Sequence, residues 1–222
     1  MIKPVLFTIR NDGLYLYPRK VRAITVEQQK RGESCIEPGP VMFAANGSAR
    51  EWPLVMITHE AALLATIEVF NQLSDSGINI AQIYPAGIYD VQSKALGKKP
   101  RPEYFWTAPG GGVHIDELKT EEPGSYDGLR WTPRLDTWNR NDLFRAANRD
   151  WAFLFCSARF LLLARKHCWK QLRFCPLDID PTSIRKYPKN DGIDFLGKQW
   201  PPLWYPPGIE GHPSNLEEVA EL

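Results

Sequence analysis

The stretch FCSARFLLLARKHCWKQLRFCPL, residues 155–177, decides how the chain is read. It holds Cys156, Cys168 and Cys175, three of the four cysteines, and His167, one of four histidines. Structural zinc draws thiolates from tight C-x2–4-C turns, because two sulfurs from one loop must converge on one ion. Here the cysteines are separated by eleven and six residues, so the spacing offers no metal knuckle. The stretch reads instead as a structural unit. WAFLFC is a strand, Ser157 an N-cap, ARFLLLARKHCW a helix of about three turns, and LRFCPL a returning strand ended by Pro176. Cysteine in such a setting behaves as a small buried hydrophobe, and His167 beside Arg165 and Lys166 suits the negative end of the helix dipole.

A second unit of the same kind lies upstream, similar in organisation but not in sequence. PLVMI reads as a buried strand that runs into THEAALLATIEVFNQLSDSG. Thr58 is the expected N-cap, Glu60 sits in the first turn, and Gly77 follows the end. Leu63, Leu64, Ile67, Phe70 and Leu73 form the expected apolar face at helical spacing. Before it, PVLFTIR is a strand followed by the hairpin-type turn NDG, and LYLYPRKVRAITV alternates like a strand pair. After it, INIAQIYPAGIYDV reads as a strand and turn, YFWTA and GVHIDEL as short strands, and LRWTPRLDTWNRNDLFRA carries Trp131 and Trp138. No repeat of fixed period is present.

These elements predict an α+β fold, with antiparallel or mixed sheets and a few packed helices, in a single compact protein of one or two lobes. Residues 94–112, rich in Lys, Pro and Gly and ending in the triple glycine 110–112, are the candidate lobe boundary or mobile loop. The expected division is an N-terminal lobe over 1–95 and a C-terminal lobe over 96–222 that ends in a Pro- and Trp-rich tail.

The chain of 222 residues is 43% hydrophobic and 24% charged, with a net charge of +1 and 19 Pro, 8 Trp, 8 Tyr and 10 Phe. That balance gives no global drive toward nucleic acid or membrane. Such aromatic density suits a core of large side chains or a surface with rigid anchors. The start has no apolar stretch followed by a small-residue cleavage site, no run is long enough to span a bilayer, and the cysteines read as reduced thiols. The expected location is the cytoplasm. No cofactor and no metal are expected.

Local charge is uneven. Residues 158–173 carry Arg159, Arg165, Lys166, Lys170 and Arg173 without an acid, a local +5. Three of these share one helix face, which is how a helix solvates itself, so nucleic-acid binding is not expected. Residues 103–127 carry Glu103, Asp116, Glu117, Glu121, Glu122 and Asp127 against Lys119, a local −5. The triple glycine lacks the phosphate-loop pattern. His114 and Asp116 alternate on one strand face, an acid–base pair in miniature. They supply the alternative reading, a small hydrolase or transferase.

The order NDLFRA…WAFLFCSARFLLLARKHCWKQLRFCPL resembles the C-terminal portion of bacterial immunity proteins from polymorphic toxin systems. The resemblance rests on Leu143-Phe144, Ser157 and Phe174-Cys175-Pro176-Leu177, covers residues 139–178, and lacks the paired CxxCG knuckles of some relatives. It implies an α+β inhibitor that binds a cognate toxin domain and occludes its active site, with interbacterial competition as the setting. It carries no site residue. The acidic segment offers the expected contacts, Asp116, Glu117, Glu121, Glu122 and Asp127, with Tyr126 and Trp131 as aromatic anchors.

Overall fold

The computed structural model describes residues 6–11, 14–18, 41–47, 49–58, 61–80, 82–92, 96–119, 129–148, 153–169 and 171–177. They form an α+β fold of two mixed six-stranded sheets and two helices. The strands in chain order are β1 (Leu6–Asn11), β2 (Leu14–Pro18), β3 (Val41–Gly47), β4 (Val55–Ile57), β5 (Leu63–Ala65), β6 (Tyr84–Val91), β7 (Tyr104–Thr107), β8 (Gly111–Lys119), β9 (Leu129–Arg134), β10 (Leu143–Ala146), β11 (Leu154–Ser157) and β12 (Leu172–Pro176). Helix α1 (Ile67–Asp75) follows β5, and α2 (Ala158–Lys166) follows β11. One sheet runs β12-β1-β11-β10-β8-β9 and the other β2-β3-β6-β7-β5-β4. Only the β3–β6 and β8–β10 pairs are parallel among these.

Alternating strand residues face opposite ways, and in both sheets both sides find a core. Phe7, Ile9, Val55, Ile57, Leu154 and Cys156 point into a central cluster that both helices close with Val69, Phe70, Leu73, Phe160, Leu161 and Leu163. Intervening residues serve the outer faces. Met56, Leu64 and Trp106 join one outer cluster, and Leu6, Phe144 and Phe155 the other. Each large side chain buried in this way contributes roughly 1.5–3 kcal/mol.

The opening stretch has the strand, cap, helix and return in the predicted order, with the helix ending at Lys166 rather than Trp169. The Ser157 hydroxyl caps α2, accepting from the Phe160 amide at 3.4 Å. The returning strand β12 does not pair with β11, however, because β1 is inserted between them. Cys156 is buried as expected, whereas Cys168 is exposed, a correction to its expected place in the core. Its left-handed backbone (φ 56°) closes the helix instead.

That closure occurs twice. After α1 come Ser76, Gly77 (φ 70°) and Ile78; after α2 come His167, Cys168 and Trp169. Ile78 and Trp169 donate back to Leu73 and Ala164, both at 3.0 Å, and their side chains are buried in the central cluster. Each is a left-handed stop that satisfies orphan carbonyls and pins the exit chain with an apolar residue. The two units also face each other. Arg159 at the start of α2 donates to the Ser76 carbonyl, and the Trp169 indole donates to Gln72 at 3.3 Å.

Further expectations are corrected. The helix expected from Thr58 begins after Thr66; Thr58 instead closes a tight turn, its carbonyl accepting from Ala61 and its hydroxyl from Ala62. Leu63 and Leu64 belong to β5, where pairing with β4 and β7 buries them on opposite faces. Ile67, expected on the apolar face, is 46% exposed. The NDG segment does not join a hairpin, because β1 and β2 lie in different sheets. Asn11 holds the crossing: its side-chain amide donates to the Ile57 carbonyl and its carbonyl accepts from the Ile57 amide at 2.7 Å, tying β1 to the end of β4.

In INIAQIYPAGIYDV, expected as a strand followed by a turn, the strand lies at the end, as β6. The triple glycine is not a free loop. Gly111 and Gly112 begin β8 beside β10, and a Cβ on Gly112 would lie 2.6 Å from Phe144 Cγ, so the bare backbone is what lets the strands meet. The division expected at 95/96 is not the division between the sheets: β1 completes the sheet of β8–β12, and β7 that of β2–β6.

Candidate functional site

The acidic segment is positioned by the edge of one sheet. β9 is the outermost strand, and it pairs antiparallel with β8 from His114↔Arg134 to Lys119↔Leu129. Pro133 sits in this edge strand opposite Ile115, a position where its missing N–H leaves the sheet intact. The root of the hairpin is fixed on its other side by Asn148, whose carboxamide accepts from the Ile115 amide at 2.9 Å and donates to the Ile115 carbonyl at 3.1 Å. Thr137 accepts from the His114 amide at 2.9 Å. Val113 and Ile115 are buried beneath, while His114 and Asp116 share the exposed face.

Of the residues expected to contact a partner, Asp116 and Glu117 lie in β8, in register with Thr132 and Trp131. Trp131 is therefore brought directly opposite Glu117. Glu121, Glu122, Tyr126 and Asp127 lie outside the described residues, within the nine-residue connection that the Lys119–Leu129 pair closes. Among the described residues no three His, Cys, Asp or Glu gather as a metal-ligand set, and no helix is long and apolar enough to cross a membrane.

Among the described residues Asp142, which no sequence pattern marked, joins several elements near the helices. Its carboxylate accepts from the Ser157 hydroxyl at 2.5 Å and pairs with Arg159 at 3.2 Å, and its backbone carbonyl accepts from the Ser157 amide at 3.0 Å. One carboxylate thus links β10, the cap of α2 and, through Arg159, the end of α1.

A second surface also escaped the sequence patterns. Where α1 ends, the chain passes through Ile78, Asn79 and Ile80 toward β6 and leaves an open groove of about 420 Å³. Phe70, Asn71, Ser74, Gly77 and Ile83 complete its lining. It continues past Asn79 and Ile80 into a cleft of about 130 Å³ bounded by Thr107, Pro109, Gly110, Asn141 and Leu143. Three separated segments build it, so no single run of sequence announces it.

Two buried acids make stability sensitive to alkaline pH. Burial, reinforced by the Asp142 carboxylate, pushes the Cys156 thiol well above its ordinary range. Burial also raises the Tyr104 phenol, partly offset by Arg101, and the phenol donates to the Pro53 carbonyl at 2.6 Å. Both groups stay protonated in the fold at pH values where the unfolded chain has lost the proton. Their contribution is therefore complete below the unfolded-state values, about 8.5 for the thiol and 10 for the phenol, and is lost as pH rises toward the folded values. Denaturant midpoints should fall from pH 8 to pH 10.5, and Cys156→Ala should flatten the earlier part of that decline. An unchanged slope would remove the thiol as its source.

Compared with known proteins, the chain matches no family profile and no curated protein sequence.

Proposed function

We propose that the protein is an immunity protein that binds a cognate, contact-delivered or secreted bacterial toxin domain in the cytoplasm of the producing cell and occludes its active site. The observation that supports this reading is the placement of the acidic segment as the connection of an edge hairpin whose root is held by Asn148 and Thr137. A hydrogen-bonded two-stranded base that carries a net-negative connection suits capture of a basic surface, since complementary charge speeds encounter and fixes orientation. Toxins that act on nucleic acid are commonly basic, and the carboxylates of this segment would take the place of substrate phosphates. Trp131, opposite Glu117, would supply an aromatic anchor at its base.

The test is coexpression in a susceptible bacterium with the toxin domain encoded beside this gene. The wild-type chain should restore growth and bind the purified domain. Lysine at Asp116, Glu117, Glu121, Glu122 and Asp127 together should weaken binding by on the order of a hundredfold or more. His114→Ala, which spares the proposed contacts, should leave protection in place, whereas an enzyme acting through the His114–Asp116 pair would lose its activity. Unchanged toxin affinity after the fivefold charge reversal would sink the hairpin as the contact surface.

A further inference from the structure

The groove beside α1 belongs to a larger surface that the other described residues leave uncovered. Strand partners in register share a face of their sheet. Pro85 pairs with Phe105, and Met42 with Gly87, on the face that α1 covers further along at β4 and β5. Over β3 and β6 that cover ends. Met42 is 40% exposed and lies across Gly87, Ile83 is 38% exposed, Pro85 is exposed, and Phe105 is only half-buried. Ile83 joins this shelf to the groove of Phe70, Ile78 and Ile80. Every described residue lining the groove and its cleft is uncharged, and its polar groups are amides and hydroxyls: Asn71, Asn79, Asn141, Ser74 and Thr107.

The chain itself contains a segment of matching chemistry. Between Lys198 and Glu210 runs QWPPLWYPPGI, which carries no charge, two tryptophans, a tyrosine and four prolines. Proline-rich segments of this kind lose little entropy on docking and use aromatic and apolar contacts in a groove. The place where the described chain ends also fits. Leu177 donates to the Leu6 carbonyl at 2.7 Å, Leu6 pairs with Ser157, and the Ser157 amide donates to Asp142, next to Asn141 of the cleft. Leu177 thus ends three strand spacings, roughly 15 Å, from the cleft that continues the groove. The residues before Gln199 can cross that distance several times over, at roughly 3.3 Å each.

We propose that this groove and shelf are the docking site for the chain's own segment Gln199–Gly208, with Trp200 and Trp204 as its anchors. The proposal is independent of the toxin-binding reading and needs no toxin to test.

The experiment uses the full-length chain and a synthetic peptide of residues 199–208. Wild type should leave the added peptide unbound because its own segment occupies the groove. Trp200→Ser/Trp204→Ser should bind it saturably, and Ile83→Arg in that background should weaken binding by on the order of tenfold or more. As a second readout, trypsin should cut after Lys198 on the order of tenfold faster in Ile83→Arg than in wild type, with cleavage elsewhere unchanged. Peptide binding equal in wild type and the tryptophan variant would overturn the proposal, showing a groove open to another protein. A wild-type dimer that dissociates in the tryptophan variant would overturn it in favour of a neighbouring chain. A folded tryptophan variant that ignores the peptide, with Lys198 cleavage indifferent to Ile83→Arg, would overturn it outright.

Discussion

Gly112→Ala should destabilise the protein by about 3 kcal/mol, near the upper end of what overpacking costs. The added methyl would press against the Phe144 side chain, 2.6 Å from Cγ and closer still to Cβ. Phe144 has nowhere to retreat. It is fully buried, stacked on Phe155 with centroids 6.1 Å apart, and flanked by Trp138 at 6.4 Å. Relief must come from moving β8 away from β10, which loosens the root of the acidic hairpin as well. Gly110→Ala is the control, since nothing lies within 4 Å of its added methyl, and it should change stability by less than about 0.5 kcal/mol. Urea denaturation of the two variants tests the contrast. Equal midpoints would show that the strands separate without cost.

Trp169→Ala should cost about 3–5 kcal/mol, the range for truncating a buried aromatic. Trp169 is 1% exposed, packs its ring against Phe160 at 5.7 Å, and donates its indole N–H to Gln72. It also completes the left-handed closure of α2, so its loss frees the helix end and opens the central cluster together. Trp169→Phe retains most of the packing and gives up the bond to Gln72, and should cost no more than about 1.5 kcal/mol. The difference between the variants, read from denaturation curves, separates packing from the hydrogen bond. A Trp169→Ala loss below that of Trp169→Phe would show that the ring is not an anchor of the core.

The strand, cap, helix and return of residues 154–176 were legible because each signal is local: Ser157 before an apolar helical period, and Pro176 at the end. The upstream unit was legible in kind but misplaced by eight residues. Leu63, Leu64 and Ile67 satisfy helical spacing, yet a short apolar run also fits a strand buried on both faces. Pairing of Leu64 with Met56 and Trp106 settles it, and that is tertiary information. The NDG signal failed for a similar reason, since Asn11 is engaged by the Ile57 backbone of the other sheet. At the candidate site, the charges were visible but the β8–β9 register that presents them was not. Asn148 and Asp142 act through partners remote in sequence, which leave no local pattern.

The insertion of β1 between β11 and β12 has a consequence for the order in which the protein can be made. Leu6 finds its partner in Ser157 and Asn11 in Leu172, so the first of the described strands waits for the last of them. A nascent chain carries Phe7 and Ile9 without their sheet until that late stretch has left the ribosome, and contacts of such long separation form slowly. Any product ending before β12 leaves β1 without one of its two neighbours. Completion of this sheet thus reports that synthesis has passed β12, and copies truncated before it offer the cell's proteases an unpaired strand rather than a half-working protein.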